Sequence, residues 1–171
     1  MESAVASQAT MSIFRARTVG PMESEGDGFE PTPDATTEGL TRMFEAGMTS
    51  GAVVKRLFDA PGFSLVYAWF KPGFPLLRHS HDKDCLYYIV SGSLRLGTED
   101  LGPGDGFFLT ADTPYTYVIG AEGLEILEFR HEGDFNSRAM GGTKAYWDKA
   151  VATIAANRTT WEAMIPPRAA A

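Results

Sequence analysis

Between Ala52 and Arg130 the chain is cut into short apolar runs by turn residues, and this rhythm restricts the fold more than any other feature. The runs are Ala52–Phe58, Phe63–Phe70, Cys85–Val90, Ser93–Gly97, Gly106–Leu109, Tyr115–Ile119 and Leu124–Arg130. They are divided by Pro61-Gly62, Pro72-Gly73, Ser91-Gly92, Gly102-Pro103-Gly104-Asp105, Thr113-Pro114 and the stretch Gly120 to Gly123. Closely spaced strands with Gly/Pro turns predict an all-β sandwich or barrel. No helical run of useful length interrupts them, which argues against a parallel βαβ architecture. The expected core domain, residues 50–131, is therefore all-β, a sandwich or a barrel.

The flanks have a different character. Residues 1–49 read as an arm or linker. Met22 to Thr37 is rich in Glu, Asp, Gly, Pro and Thr, too polar to offset its ordering entropy by burial. Ser12–Val19 alternates and is a candidate edge strand. Leu40, Met43, Phe44 and Met48 share a helical face, with Thr37 as a cap and Gly47 as a stop. In the tail, residues 132–171, Trp147, Val151, Ile154, Arg158, Trp161 and Ile165 form a helical stripe. Thr159 and Glu162 have capping-box spacing, which predicts two helices, about 144–156 and 160–165, ended by Pro166-Pro167 and packed outside the barrel.

The 171 residues suit one core. Asp and Glu outnumber Lys and Arg by 22 to 15, and the net charge of -7 argues against nucleic acid as a partner. Cys85 is the single cysteine, so no internal disulfide and no Cys-rich zinc site can form; a reducing compartment, the cytoplasm, is the expectation. No apolar run reaches the roughly 18 residues of a membrane span. Met1 to Thr10 lacks the basic-then-apolar pattern of a secretory signal.

The chemistry concentrates in Gly73-Phe74-Pro75-Leu76-Leu77-Arg78-His79-Ser80-His81. Residues i and i+2 of a strand share a face, so His79 and His81 project side by side, close enough to share one ion. Two surface histidines on an exposed strand would give the same pattern. The surroundings add weight. Gly73 precedes His79 by five intervening residues, Cys85 follows His81 after three, and Gly92 follows Cys85 after six. A second block runs from Gly104-Asp105-Gly106 through Thr113-Pro114-Tyr115.

Together these blocks resemble the two motifs of the cupin superfamily. The resemblance implies a small jelly-roll barrel with its histidines inward, often around a divalent transition metal such as zinc, iron, manganese or nickel. Only His79 and His81 match residue by residue. Cys85 stands where the family has a metal-binding Glu, and Tyr115 where it has a metal-binding His. A Cys85 thiolate would favour zinc, whereas a Tyr115 phenolate is costly given a reference pKa near 10. Asp82 and Asp84 read as solvated turn residues, and His131 as a rim residue.

If His79 and His81 face inward, alternation turns Leu77 the same way, and Tyr87, Ile89, Tyr115 and Tyr117 join them. Two histidines, one cysteine and three tyrosines on an apolar background suit a small-molecule pocket. Core filling alone explains the tyrosine rings better than three buried hydroxyls. The first functional reading is a metal-dependent enzyme acting on a small organic molecule. His79, His81 and Cys85 would be its metal ligands and Tyr115, Tyr87 or Tyr117 its proton donor, with oxygenase, isomerase and lyase chemistries all open. The second is a non-catalytic binding module. The resemblance also implies a homodimer, with Ser12–Val19 a candidate for joining the partner's sheet.

Overall fold

Eight strands, two α-helices and two short 3-10 turns, Ala16–Thr18 and Met48–Gly51, make up the elements of the computed structural model, which describes residues 11–22 and 34–171. The strands are β1 (Ala52–Ala60), β2 (Phe63–Phe70), β3 (His79–His81), β4 (Cys85–Leu96), β5 (Glu99–Leu101), β6 (Gly106–Leu109), β7 (Val118–Arg130) and β8 (Ser137–Ala139). The helices are α1 (Asp34–Ala46) and α2 (Lys144–Glu162). The larger sheet has the order β1-β2-β7-β4-β5, with β6 also on β4, and β3 pairs with β8 in a small second sheet. Every strand pair is antiparallel.

Two of the expected turns are not turns. Ser91-Gly92 lies inside β4, and Gly120 to Gly123 lies inside β7. The two strands pair along their length, and their register shifts between Ile89 and Ser91 and again between Gly92 and Leu94. Gly92 has φ 73° and Gly123 φ 82°, the left-handed conformation that glycine adopts without a Cβ penalty. The glycines therefore form bulges that bend one long ribbon. They also sit against each other: a Cβ on Gly92 would run into the Gly123 carbonyl oxygen.

The inner faces meet in one core. Ile89, Leu94, Leu124, Ile126 and Phe70 fill the barrel, and the same cluster continues through Phe74 to Met43, Trp147, Ile154 and Trp161 of the helices. A second cluster, Leu57, Leu65, Tyr67, Trp69 and Ala170, covers the outer side of β1 and β2. Hence β2 is buried on both faces from Ser64 onward. Another outer face stays open: Leu86, Tyr88 and Val90 of β4 and Phe108 of β6 are about half exposed, and Leu86 pairs directly with Phe108.

The flanks depart from expectation in three ways. Ser12–Val19 forms no strand; Ala16–Thr18 is one 3-10 turn. Its alternation had no face to bury, since Ile13 and Phe14 are both exposed. The segment is tied down instead by Lys55, whose buried ammonium donates to main-chain oxygens of Ala16 and Ala171. The first helix begins at Asp34, ahead of Thr37, and ends at Gly47 with φ 99°. Most of the Met22–Thr37 arm lies outside the described residues.

The tail holds one helix, not two. Thr159 accepts from the Ala163 N–H as an ordinary helical carbonyl. Glu162 pairs with Arg158 at 2.8 Å and accepts from Ser50, so it caps nothing. The buried stripe is Trp147, Ala150, Ile154 and Trp161, while Arg158 and Ile165 are exposed. Trp161 anchors the helix end by donating its indole N–H to the Pro72 carbonyl at 3.0 Å. Gly39 lets α1 and α2 close up, because a Cβ there would enter the Trp147 ring.

The bulge pair yields a direct test. Gly62 has φ 82° and open space around it, so Gly62→Ala should cost only the backbone strain, about 1 kcal/mol. Gly92→Ala adds a backbone collision and should cost at least about twice that. Urea denaturation of the two variants checks the order; equal losses would contradict the packed bulge.

Candidate functional site

The histidine strand is positioned from both sides. His79 exchanges backbone hydrogen bonds with Tyr115, at 3.0 and 2.9 Å. On its other edge β3 pairs with β8, placing His79 opposite Ala139 and His81 opposite Ser137. The two turn aspartates fix these flanks. Asp82 accepts from the Asn136 N–H and Asp84 from the Ala111 N–H, both at 2.7 Å. They are thus backbone clamps for the segments on either side of β3.

The side chains brought together are His79, His81, Tyr115, Tyr87, Tyr117 and Cys85. All three tyrosines and Cys85 are buried, and the two histidines are partly exposed. The imidazole centres of His79 and His81 are 5.0 Å apart, and His79 lies 4.4 Å from the Tyr115 ring. Tyr87 stacks on Phe107 at 4.4 Å. Leu77 and Ile89 are buried in the same cluster, as alternation requires. His131 is exposed, with a distant contact to Glu132.

Hydrogen bonds order the polar atoms. His79 Nδ1 lies 2.8 Å from the Leu77 carbonyl and so carries the proton, leaving the Nε2 lone pair bare. His81 Nδ1 faces Ser137 Oγ at 3.0 Å, and its Nε2 faces the Tyr115 hydroxyl at 3.2 Å. The Asn136 carbonyl also bonds the His81 ring, which favours a proton on Nδ1. Tyr115 then donates to Nε2, and Tyr87 donates to the Tyr115 oxygen at 2.6 Å. The result is a file of hydroxyls running from the buried Tyr87 to the partly exposed His81.

The cluster is held electrically neutral. Burial pushes the His81 pKa down to about 4 and lowers that of His79. Burial pushes the Cys85 thiol up to about 12 and lifts all three tyrosines well above their ordinary range. Imidazoles, phenols and thiol are all uncharged at neutral pH.

Two inward residues escaped the sequence reading. The inner face of β7 is Leu124, Ile126, Glu128 and Arg130, all buried. Glu128 and Arg130 form an ion pair at 2.8 Å, and the Arg130 guanidinium rests on the Phe135 ring at 3.9 Å. Phe135 also meets His81 edge-on at 5.5 Å. Both Glu128 and Arg130 act on the ionisation of His79, His81, Cys85, Tyr87 and Tyr115. The available signal was alternation itself, which puts Glu128 and Arg130 on the same face as Leu124 and Ile126.

These residues do not fit a resident transition metal. Stable sites use three or four protein ligands, and among the described residues no three His, Cys, Asp or Glu side chains converge closely enough. Of the two imidazole lone pairs, that of His81 accepts from Tyr115. The Cys85 thiol is aimed at its neighbouring Leu86 carbonyl, 3.9 Å away. The arrangement can accept a proton at His79 Nε2 and pass hydrogen-bond polarity along the tyrosines.

A scan against protein-family models and a search of curated proteins find no match. Among solved structures, the polyketide cyclase RemF from Streptomyces resistomycificus superposes with a TM-score of 0.50 at 19% identity, over 61% of this chain and 84% of that one. KdgF from Halomonas sp. gives 0.48 at 21%, over 73% and 97%. A protein of unknown function with a cupin-like fold, from Ralstonia eutropha JMP134, gives 0.44 at 15%, over 64% and 76%. The chain has a cupin fold, an antiparallel jelly-roll barrel with two helices.

The neutral cluster makes a pH prediction. Both histidine pKa values lie below the unfolded value of about 6.5. The unfolded chain therefore binds protons first, so the stability from these groups is complete above about pH 6.5 and declines as pH falls toward about 4. Imidazole NMR titration should place the His81 midpoint near 4, and a midpoint of 6 or above would refute its burial among hydroxyls. In the same protein Cys85 should resist thiol reagents at pH 8 until the chain unfolds.

Proposed function

We propose that this protein binds a small, planar organic molecule at the barrel mouth, through His79, Tyr115 and Tyr87, without a resident metal. The observation that carries the reading is the file Tyr87–Tyr115–His81–Ser137. It brings buried hydroxyls to a partly exposed rim in an aromatic setting, the mixture small-molecule sites use. If the ligand is turned over, neutral His79 is the group able to take a proton, through its bare Nε2. Tyr115, held as a phenol, would steady a developing oxyanion by turning its O–H from His81 to the ligand, while Tyr87 goes on donating to the Tyr115 oxygen.

One observation favours the metal-dependent enzyme as a second reading. His79 presents its Nε2 lone pair to the site, and His81 would do the same if Tyr115 released it. Phenol and benzamide, two neutral planar probes, should shift the His79 and His81 ring resonances saturably. Tyr115→Phe should weaken that binding by about tenfold, the loss of one neutral hydrogen bond. Absence of saturable shifts removes the first reading. Calorimetry with Zn²⁺ or Mn²⁺ should show no binding tighter than micromolar. One tight equivalent that disappears in His79→Ala would establish the second reading instead.

The homodimer belongs to the same proposal, with a different surface from the N-terminal segment. The row Leu86, Tyr88, Val90 with Phe108 is uncharged and lies on two hydrogen-bonded strands, and a second copy of the chain would cover it. Sedimentation should show a dimer at micromolar concentration and a monomer for Phe108→Glu; a monomeric wild type would refute the pairing. The lone buried thiol of Cys85 suits a reducing compartment such as the cytoplasm. No helix among the described residues is long and apolar enough to cross a membrane.

A further inference from the structure

Arg130 is the most costly residue in the barrel to leave as it stands. Its side chain has no exposure to water at all. A guanidinium offers five N–H donors. Glu128 receives a bond from Nη2, while Nε and Nη1 have no partner among the described residues. Buried donors on a charged group are normally satisfied, and an arginine used only to pair with Glu128 would not require an inward place beside the tyrosines. The guanidinium lies under Phe135, which also touches His81, and its charge is felt at His79, Tyr87 and Tyr115. Phe135 thus joins the unspent donors to the histidine cluster.

We infer that Arg130 is the anchor for a ligand carboxylate, so that the molecule bound at the barrel mouth is a small carboxylic acid. This rests on the small-molecule reading above and names its ligand class. Planar carboxylate oxygens match the guanidinium geometry. Glu128 already balances the arginine, and the imidazoles are neutral, so one further negative charge is tolerable where a phosphate dianion would meet unbalanced repulsion. Phe135, from the segment between β7 and β8, covers the guanidinium and would have to turn aside for the acid to reach it. Acceptors and donors then divide cleanly: the acid group meets Arg130, and the rest of the molecule meets the His79 lone pair and the tyrosine hydroxyls.

Benzoate and benzamide separate the two levels of the argument, since they differ chiefly in charge. With the full-length protein, followed by NMR and calorimetry, benzoate should bind at least about tenfold tighter than benzamide. The double variant E128Q/R130Q removes both charges together, leaves no lone ion buried, and should remain folded by circular dichroism. It should bind the two probes equally. Arg130→Lys, which keeps the charge but loses the planar fork, should retain less than about a tenth of the benzoate affinity. Equal binding of benzoate and benzamide by the wild type overturns the carboxylate anchor and leaves the small-molecule site standing. Failure of both probes up to about 10 mM overturns the two together. A benzoate preference that persists in E128Q/R130Q overturns the role of Arg130.

Discussion

The pairing of β4 with β7 is the constraint on which the rest of the molecule depends. It is the longest ladder in the fold, and β2, β5 and β6 all attach to one or other of its strands. Gly92 and Gly123 let it bend without breaking, so a single ribbon lines the barrel core along its length. Cys85, Tyr87, Glu128 and Arg130 are carried on it with their spacing fixed by backbone hydrogen bonds. Tyr87 lies directly opposite Glu128 in the register. A functional cluster built on such a ribbon is rigid at its base, and only the residues contributed by the shorter pieces, His79, His81, Tyr115 and Phe135, have freedom to adjust.

Much of this was readable from residue order. Phe63–Phe70 and Gly106–Leu109 begin and end where the sequence pattern does, because true turns bound them. The inward facing of Tyr87, Ile89, Tyr115 and Tyr117 follows from alternation alone once the histidines are placed. The errors have physical causes. A glycine with positive φ looks the same in sequence whether it closes a hairpin or bulges a strand, and only the partner across the ladder decides; Gly92 and Gly123 are that case. The strand Ser137–Ala139 has no apolar pattern of its own and exists because β3 offers it three residues to pair with. Thr159 and Glu162 have the spacing of a helix start, but Trp161, buried between them, holds the helix continuous.

The site shows why motif and chemistry can separate. The spacing that resembles the cupin pattern places His79, His81, residue 85 and residue 115 around one interior, and the structure places the present side chains there. Replacing two charged or basic donors by a thiol and a phenol changes the interior from a charge trap into a set of neutral dipoles. Burial then works in one direction on every member, keeping each in its uncharged form. Among the described residues, the permanent charges beside this cluster are Glu128 and Arg130, and they come from β7, which neither motif block includes. The cavity's electrostatics are thus set by residues outside the pattern that defines the fold.

The strand that carries both histidines is short, and so is the strand that completes it: three residues each, against the twelve and thirteen of the central ribbon. Cooperative units of unequal size open at unequal free energies, and the thinnest ladders open first. The amide protons of β3 and β8 are therefore expected to exchange with solvent through local fluctuations while β4 and β7 exchange only by global unfolding. The protein keeps its reactive-looking rings on its least protected segment, with Asp82 and Asp84 as the stitches that return that segment to place after each opening.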